Sequence, residues 1–244
     1  MTTFHFGFGP VPAHQHPNGR GWVADTAHVD DSAYIGPDAQ VYGDAWVSGN
    51  ARVYGDARVS GDAWVYDDAW VYGDARVYGD ARVSGDARVY GDAWVYDDAQ
   101  VYDDAWVSGN AQVYGDARVS GDAWVYGDAW VYDDAWVYGN ARVSGNARVY
   151  GDAQVYGDAQ VYGDAWVSGN AQVSKSSDYL LIGPIGSRAD FMTWTRSDNC
   201  IATGCFRGTI EEFLAAVRET HGDNEHARAY RGAVKFIRAM EKLA

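Results

Sequence analysis

Residues 41–58 read VYGDAW-VSGNAR-VYGDAR, which is three successive copies of one six-residue unit. The unit has an aliphatic residue first, Tyr or Ser second, a pair of Gly, Asp or Asn, then Ala, and finally Trp, Arg or Gln. The aliphatic position recurs every sixth residue from Val23 to Val173 without insertion or deletion. A repeat of fixed period decides the architecture, because each unit buries its apolar side only by stacking on its neighbours.

The order of residues within the hexad predicts its geometry. In Ala45-Trp46-Val47 the period of two along a strand directs Ala and Val inward and Trp outward. The Gly–Asp or Asp–Asp pair tolerates the tight or left-handed backbone of a corner. Three hexads then complete one triangular coil of 18 residues, and residues 23–174 hold between eight and nine such coils. The sequence therefore predicts a mainly β protein, with a parallel β-helix over residues 23–174.

The hexads place a small residue four positions after each aliphatic one, and this resembles the hexapeptide-repeat family of left-handed parallel β-helices. The resemblance covers about residues 20–174. It implies a left-handed coil and, as in much of the family, a homotrimer. The family includes acyltransferases in which a catalytic His lies near a loop that interrupts the coils. Here no loop interrupts the hexads, and no His occurs between His28 and His221, so acyl transfer is not expected.

A longer repeat is superimposed on the hexads. Residues 41–100 and 101–160 align without gaps and differ at nine positions. Sixty residues are ten hexads, which is not a whole number of coils, so equivalent residues fall on different faces. We expect three tryptophans on each face: Trp46, Trp64 and Trp136; Trp70, Trp106 and Trp124; and Trp94, Trp130 and Trp166.

These outward aromatic residues have two interpretations. One is a stacking platform for sugars or bases. The other is a set of aromatic and cation–π ladders between adjacent coils. A binding face needs its own chemistry in register along one wall, and we expect none in the regular shaft. The sequence therefore favours coil-to-coil ladders and a generic scaffold.

Charge and amino-acid composition divide the chain into two parts. The 244 residues have a formal net charge of −15, but residues 1–174 hold 25 acidic and 9 basic side chains, and Glu, Lys and Leu occur only after Ser174. This shift predicts a domain boundary within residues 174–178.

The negative charge argues against general nucleic-acid binding. The sequence has no apolar run long enough for a membrane span, no signal-peptide pattern and too few cysteines for a disulfide framework. We therefore expect a cytoplasmic protein.

Residues 1–22 differ from the hexads. The Pro and Gly content of residues 10–22 predicts a loop, and residues 1–22 are interpreted as a cap loop that covers the first coil. The alternative is a second candidate site, in which His14, His16 and Arg20 contact a ligand or a metal.

Residues 178–244 predict a small α+β domain. We expect a strand at 178–183, a loop at 184–188, a strand at 191–196 and a returning strand at 200–206. Thr209 and Glu212 fit a capping box at the start of a first helix, and Gly222 suits the end of that helix. A second helix over 224–242 carries one basic face, for which the acidic shaft or a neighbouring subunit offers the complementary charge. That face consists of Arg228, Arg231, Lys235, Arg238 and Lys242.

Two features of this domain favour an anionic ligand. The loop at 183–188 presents backbone N–H groups, with Ser187 and Arg188 as further donors. The helix start after Arg207 attracts anions, and Trp194 offers a stacking surface. The predicted ligand-binding residues are Gly186, Ser187, Arg188, Trp194, Arg207, Thr209 and His221, while a plain turn and simple capping remain alternatives. The sequence assigns no catalytic residue, metal or cofactor.

The cysteines and histidines suggest two further readings. Cys200, Cys205, His221 and His226 have a spacing that resembles a Cys₂His₂ zinc site. However, Cys200 and Cys205 have opposite parity on a strand and point to opposite faces unless Gly204 forms a bulge. Cys205 and His221 also suit a nucleophile and base, but no third group that would orient the base is evident.

Two segments resemble phage and prophage proteins that carry hexapeptide repeats. These are residues 178–244, with GPIGSR, GCFRGT and THGDN, and residues 12–27. The resemblance implies a viral context and, by analogy, the capture of a host-defence signal. We predict a non-enzymatic, oligomeric binding protein whose C-terminal domains sequester a small anionic ligand, with a nucleotide immune signal as the candidate. The alternatives are a structural protein, either a virion spacer or a filament, and an enzyme that uses Cys205 and His221.

Overall fold

The computed structural model describes residues 2–242. The first residue of the predicted cap loop (1–22) and the last two residues of the predicted C-terminal domain (178–244) lie outside the described residues. The hexads form a parallel β-solenoid with three walls. Strands that are 18 residues apart pair in parallel, as Trp46 does with Trp64. The predicted parallel β-helix, with three hexads in each coil, is confirmed.

Each wall is a ladder of short strands, and the strand positions are as follows. Wall 1 contains Trp22–Ala24, Gln40–Val41, Arg58–Val59, Arg76–Val77, Trp94–Val95, Gln112–Val113, Trp130–Val131, Arg148–Val149 and Trp166–Val167. Wall 2 contains His28–Val29, Trp46–Val47, Trp64–Val65, Arg82–Val83, Gln100–Val101, Arg118–Val119, Trp136–Val137, Gln154–Val155 and Gln172–Val173. Wall 3 contains Tyr34–Ile35, Arg52–Val53, Trp70–Gly73, Arg88–Gly91, Trp106–Val107, Trp124–Val125, Arg142–Val143 and Gln160–Val161. The predicted division of the tryptophans among three faces is confirmed.

The interior of the solenoid is packed with the smallest apolar side chains. From Val41 to Val173 every inward position is Val or Ala, and each is fully buried. Ala beside each corner lets the walls approach closely, and Val fills the remaining space. The shaft therefore has one continuous core.

The corners require left-handed backbone. Gly85, for example, has φ +68°. Four corners use Asp instead of Gly, with φ between 58° and 62°: Asp67, Asp97, Asp103 and Asp133. Each of these four has glycine at the equivalent corner of the coil before and of the coil after. The carboxylate of Asp67 accepts from the N–H of Gly85 in the next coil at 3.4 Å, which offsets part of the cost of its backbone conformation.

Tyrosine forms ladders in register along the shaft. One ladder runs over five successive coils, with ring centroids 4.8–5.0 Å apart and ring planes within 6° of parallel: Tyr78, Tyr96, Tyr114, Tyr132 and Tyr150. The prediction that no wall carries chemistry in register is therefore wrong, because these tyrosines recur at the 18-residue period. Within the ladder each ring covers the faces of its neighbours, so ring edges and hydroxyls are what remain for solvent.

Arginine and tryptophan both occupy the outward strand position in successive coils. The guanidinium of Arg88 lies 5.1 Å from the ring centroid of Trp70 and 4.9 Å from that of Trp106. Cation–π contacts of this kind join neighbouring coils. The prediction of coil-to-coil ladders is confirmed, and a continuous stacking platform is not what the shaft presents.

The N-terminal segment contains strands where the sequence predicted a loop. Thr3–His5 and Pro10–Gln15 pair antiparallel and extend wall 1 to 11 strands. Proline donates no hydrogen bond, but its carbonyl still pairs: the oxygen of Pro12 accepts from the N–H of Asp25 at 3.0 Å. The following turn covers the edge of wall 3, where the oxygen of Asn18 accepts from the N–H of Ile35.

The C-terminal domain has a short 3₁₀ turn, a four-stranded antiparallel sheet and two helices. Its elements are Ser176–Asp178, the strands Tyr179–Ile185, Asp190–Thr195, Cys200–Thr203 and Phe206–Thr209, and the helices α1 (Ile210–His221) and α2 (Glu225–Glu241). The predicted loop at 184–188 begins too early, because the first strand continues to Ile185 after a register shift. The returning strand is divided by a turn at Gly204, whose φ is 54°. Among the described residues, no helix is long and apolar enough to cross a bilayer.

Hydroxyl groups of this domain cover the last coil of the solenoid. Four backbone N–H groups that lack a following coil donate instead to side-chain oxygens: Gln160 to Ser176 at 3.3 Å, Tyr162 to Tyr179 at 3.4 Å, Trp166 to Thr193 at 2.8 Å and Gln172 to Ser197 at 2.6 Å. Unpaired strand edges invite further pairing. Because these edge donors are used, this end does not favour a filament built by strand pairing.

Candidate functional site

A cleft of about 310 Å³ lies in the C-terminal domain, between the turn at 186–189, the turn at 204–205 and the two helices. Its lining includes Ser187, Arg188, Cys205, Phe213, His221 and Tyr230. Three residues of the predicted ligand site, namely Ser187, Arg188 and His221, therefore come together. They are brought from a hairpin turn and from the last turn of α1.

The rim of the cleft is polar and charged. Ser187 and Arg188 are exposed in the turn that follows the first strand. The Nη1 atom of Arg188 lies 4.0 Å from the Sγ atom of Cys205 in the facing turn. Asp190, half-buried, also lines the cleft. The cleft thus offers one guanidinium, one carboxylate and one thiol at its mouth.

The floor of the cleft is aromatic. Phe213 is buried with its ring centroid 5.3 Å from that of Phe206 and 5.3 Å from that of Tyr230. The imidazole of His221 lies 5.8 Å from the ring of Tyr230. A small apolar or aromatic group fits such a floor, and the rim supplies the polar groups that would orient it.

Gly186 supports the cleft through packing. Its φ is 73°, and a Cβ atom at this position would lie 1.9 Å from the hydroxyl of Tyr230. Any side chain here would displace Tyr230 from the turn. Gly186 therefore sets how closely the turn approaches α2, and this explains its place in the site without requiring that its N–H bind an anion.

Trp194 does not belong to the cleft. Its side chain is fully buried in the core of the C-terminal domain. Its Nε1–H donates to the side-chain oxygen of Asn199 at 2.8 Å. The prediction that Trp194 stacks on a ligand is wrong, because the ring is inaccessible and the guanidinium of Arg196 lies 5.5 Å from its centroid.

Arg207 is turned towards the solenoid. Its Nε donates to the hydroxyl of Ser168 at 2.9 Å, and its Nη2 donates to the backbone oxygen of Ser168 at 3.0 Å. The same Nη2 lies 3.1 Å from a carboxylate oxygen of Asp198. A Cβ atom on Gly169 would lie 1.8 Å from Arg207. Arg207 therefore joins the domain to the last coil, and the prediction that it binds a ligand in the same site as Arg188 is wrong.

The start of α1 is occupied by the protein's own carboxylate. Glu212 accepts from the backbone N–H of Thr209 at 2.8 Å and from its hydroxyl at 2.9 Å, so the predicted capping box is confirmed. These hydrogen bonds hold the pKa of Glu212 below its usual range. An ionised carboxylate at this position repels an anion, so the anion-binding role predicted for Thr209 is wrong.

The residues of the second candidate site differ in exposure, and the N–H of Arg20 donates to the backbone oxygen of His16 at 3.0 Å. His14 is exposed, and its Nδ1 lies 2.9 Å from a carboxylate oxygen of Asp25. His16 is buried, and its Nδ1 accepts from the N–H of Asn18 at 3.3 Å within the turn. Arg20 is exposed and has φ 68°. The structure therefore gives these residues structural places in the N-terminal hairpin.

The cysteines lie in different environments. Cys200 is buried in a strand, where burial raises the pKa of its thiol. Cys205 is exposed in the turn beside Arg188. Within residues 2–242, no three His, Cys, Asp or Glu side chains are grouped closely enough to hold a metal ion. Cys205 and His221 line the same cleft, so the nucleophile–base interpretation remains open.

The basic face of α2 pairs within its own domain. Arg231 lies 2.9 Å from Asp223, and Arg238 lies 3.1 Å from Glu211 on α1. The expectation that the acidic shaft neutralises this face is therefore wrong for these two arginines. Their partners lie in the linker between the two helices and on α1, and both pairs are exposed to solvent.

Sequence reasoning missed part of the cleft. Phe213 and Tyr230 belong to the apolar faces of the two helices, and their spacing predicts core positions. Both are buried, so that prediction is confirmed, but each also lines the cleft. Helical periodicity identifies the buried face of a helix, whereas the gap between two packed helices depends on where the hairpin turns sit.

Comparison with known proteins supports the assignment of the shaft. A family model described as YdcK Beta solenoid repeat matches seven segments, namely 39–55, 51–67, 81–97, 99–113, 111–127, 141–157 and 159–175. All seven lie in or at the end of the solenoid. No curated protein matches the chain. The matched repeats and the three-walled architecture together show that this chain is a β-solenoid repeat protein.

Proposed function

We propose that the protein is a non-enzymatic binding protein, in which the solenoid is the scaffold and the C-terminal cleft holds a small ligand with an anionic group. The observation that carries the proposal is the position of Arg188 at the mouth of an aromatic cleft. Arg207, Arg231 and Arg238 each have a carboxylate within 3.1 Å. Within the described residues, Arg188 instead contacts a thiol, which leaves its guanidinium for a ligand.

The cleft supports a ligand of limited size. Its volume of about 310 Å³ is at the lower end of the range for small-molecule sites. The aromatic floor favours a flat or apolar part, and the guanidinium favours a phosphate or carboxylate. A nucleotide signal, as the phage and prophage resemblance suggests, meets both requirements. Two free cysteines fit the reducing cytoplasm that this proposal assigns to the protein.

The test is calorimetry with mononucleotides, cyclic nucleotides and ADP-ribose. We expect at least one to bind, and Arg188→Ala to weaken binding about ten- to a hundredfold, the value of a lost charge-assisted hydrogen bond. Arg228→Ala is the matched control, because Arg228 is exposed on α2 outside the cleft. Equal weakening by both variants would overturn the site, and no binding to the wild type would overturn the function.

The same experiment separates binding from catalysis. Mass spectrometry of the recovered ligand should show it unchanged after incubation. A converted product that disappears in Cys205→Ala would instead establish the enzyme alternative, since Cys205 and His221 line the same cleft.

The structural alternative is favoured by a different observation. The shaft is uninterrupted from Val23 to Val173 and is closed at its C-terminal end by hydroxyl acceptors. This suits a spacer of fixed length better than a filament.

We include a homotrimer in the proposal because wall 2 exposes Trp46 and Trp64, whose ring centroids lie 5.7 Å apart, and exposed aromatic patches mark interfaces. Sedimentation should give three times 26.7 kDa, and a monomer would remove this part.

A further inference from the structure

A second cleft, of about 620 Å³, lies on wall 3 beside the N-terminal hairpin. Its lining includes the aromatic rings of Tyr34 and Tyr54, the carboxamides of Asn18 and Asn50, and the carboxylate of Asp68. None of these belongs to the predicted sites or to the C-terminal cleft.

The cleft exists because a tyrosine ladder ends there. Tyr54 stacks on Tyr72 with ring centroids 4.9 Å apart and planes 3° from parallel. The equivalent position in the preceding coil is Gly36, where a Cβ atom would lie 2.8 Å from the Cβ of Tyr54. The preceding coil therefore has no side chain at the position that would continue the stack on the N-terminal face of the Tyr54 ring. Tyr34, which is 36% exposed, adds a second aromatic surface to the cleft.

Polar groups around the cleft are held in place by the fold. The side-chain amide of Asn18 donates to the backbone oxygen of Ala33 at 3.0 Å. The side-chain amide of Asn50 donates to one carboxylate oxygen of Asp68 at 3.2 Å. Asn18 also donates to the backbone oxygen of Ser32 at 3.3 Å, so both of its amide hydrogens are used, whereas Asn50 uses one. The carbonyl oxygens of both amides and the second oxygen of Asp68 are left as acceptors. The cleft thus combines two aromatic surfaces with fixed hydrogen-bond acceptors.

A comparable cleft on wall 1 shows what is specific here. The ladder that begins at Tyr78 has Ser60 in the preceding coil, and a cleft of about 310 Å³ lies at that point. Its charged lining residues are Arg58 and Arg76, with no carboxylate or carboxamide. Both of these ladder ends carry a cleft, but the cleft at Tyr54 has twice the volume and carries acceptors.

We propose that the cleft at Tyr54 binds a neutral saccharide. The C–H face of a sugar ring packs on an aromatic face, and its hydroxyls donate to carboxamide and carboxylate oxygens. The single guanidinium at the cleft, that of Arg52, already lies 4.9 Å from the ring of Trp70. An anionic ligand would meet Asp68 on a segment, residues 1–174, that holds 25 acidic and only 9 basic side chains, so a neutral polyhydroxylated ligand fits best. This site is independent of the C-terminal cleft.

The test is saturation-transfer NMR on the full chain with glucose, galactose, mannose, N-acetylglucosamine and their β1,4-linked disaccharides. We expect transfer to at least one sugar. Asp68→Asn should lower its affinity about ten- to a hundredfold, since a charge-assisted acceptor is lost. The fold should survive, because Asn already occupies the equivalent corner position at Asn50 and Asn140. Tyr34→Ala, at an exposed position, should weaken binding as well.

Asp158→Asn is the matched control. Asp158 lies at the same corner of wall 3, where it accepts from Asn140 at 3.1 Å as Asp68 does from Asn50. The Asp158→Asn variant should bind the sugar with the same affinity as the wild type. The proposal is overturned by the absence of transfer to every sugar, by equal weakening in Asp68→Asn and Asp158→Asn, or by tighter binding of glucose 6-phosphate than of glucose.

Discussion

Replacing Gly85 with Asp should destabilise the solenoid more than the same change at Gly127. Gly85 lies at a corner between Asp67 in the coil before and Asp103 in the coil after. Gly127 lies between two glycine corners, Gly109 and Gly145. Position 127 corresponds to Asp67 in the 60-residue repeat, so Asp at such a position has a precedent in the same chain.

The two changes share one cost and differ in another. Left-handed backbone costs a non-glycine residue about 1–2 kcal/mol at either site. The new Cβ would lie 2.9 Å from the backbone nitrogen of Asp103 at position 85 and 3.1 Å from that of Gly145 at position 127, so the steric cost is similar. At position 85 the new carboxylate would also lie near those of Asp67 and Asp103 at the coil spacing of ~4.8 Å, which costs about 0.9 kcal/mol for each exposed pair in water. We expect a loss of about 3–4 kcal/mol for Gly85→Asp and about 1–2 kcal/mol for Gly127→Asp.

The assay is thermal unfolding followed by far-ultraviolet circular dichroism. Midpoints are compared directly, because long repeat arrays depart from two-state behaviour. The midpoint of Gly85→Asp should lie below that of Gly127→Asp, and 1 M salt should narrow the difference by screening the carboxylates. Equal midpoints for the two variants at low salt would refute the reasoning.

Two further predictions concern the end of the shaft and its ladders. Thr193→Val should lower the free energy of unfolding, measured with denaturant, by about 1–3 kcal/mol, because the N–H of Trp166 loses its acceptor. An unchanged denaturation midpoint would contradict this. Burial raises the pKa of Tyr96 and of Tyr132 to about 12, above the ordinary value near 10. Stability from these phenols is present below pH ~10 and is lost as the pH rises through about 12. Absorbance at 295 nm should show a late tyrosine phase coincident with unfolding, and a single phase near pH 10 in a folded shaft would contradict it.

The solenoid was predictable because its information is local and repeated. An Ala-x-Val strand and a glycine corner fix inward and outward positions within six residues, and the unbroken period fixes the stacking. The three tryptophan sets were predictable for the same reason. The tyrosine ladder was not anticipated, since the 60-residue repeat draws attention to a different period from the 18-residue one that governs contact.

The ends were less predictable. Pro10 and Pro12 indicated a loop, yet an antiparallel partner on each side makes their segment a strand. In the C-terminal domain, Arg188 and Arg207 looked alike in sequence, since each lies within two residues of a glycine. Docking against Ser168 removes Arg207 from the cleft, and no local signal distinguishes the two.

The sequence by itself determined the period, the inward and outward faces, the boundary near residue 174 and the start of α1 at Thr209. Each of these depends on contacts between residues close in sequence or separated by a fixed interval. Only the tertiary structure decided which polar side chains share a cleft. That choice depends on how a hairpin turn, two helices and the last coil pack against one another, and packing between distant segments leaves no periodic mark on the sequence. Arg188 and His221 meet for that reason, while Trp194 is buried and Arg207 faces the shaft.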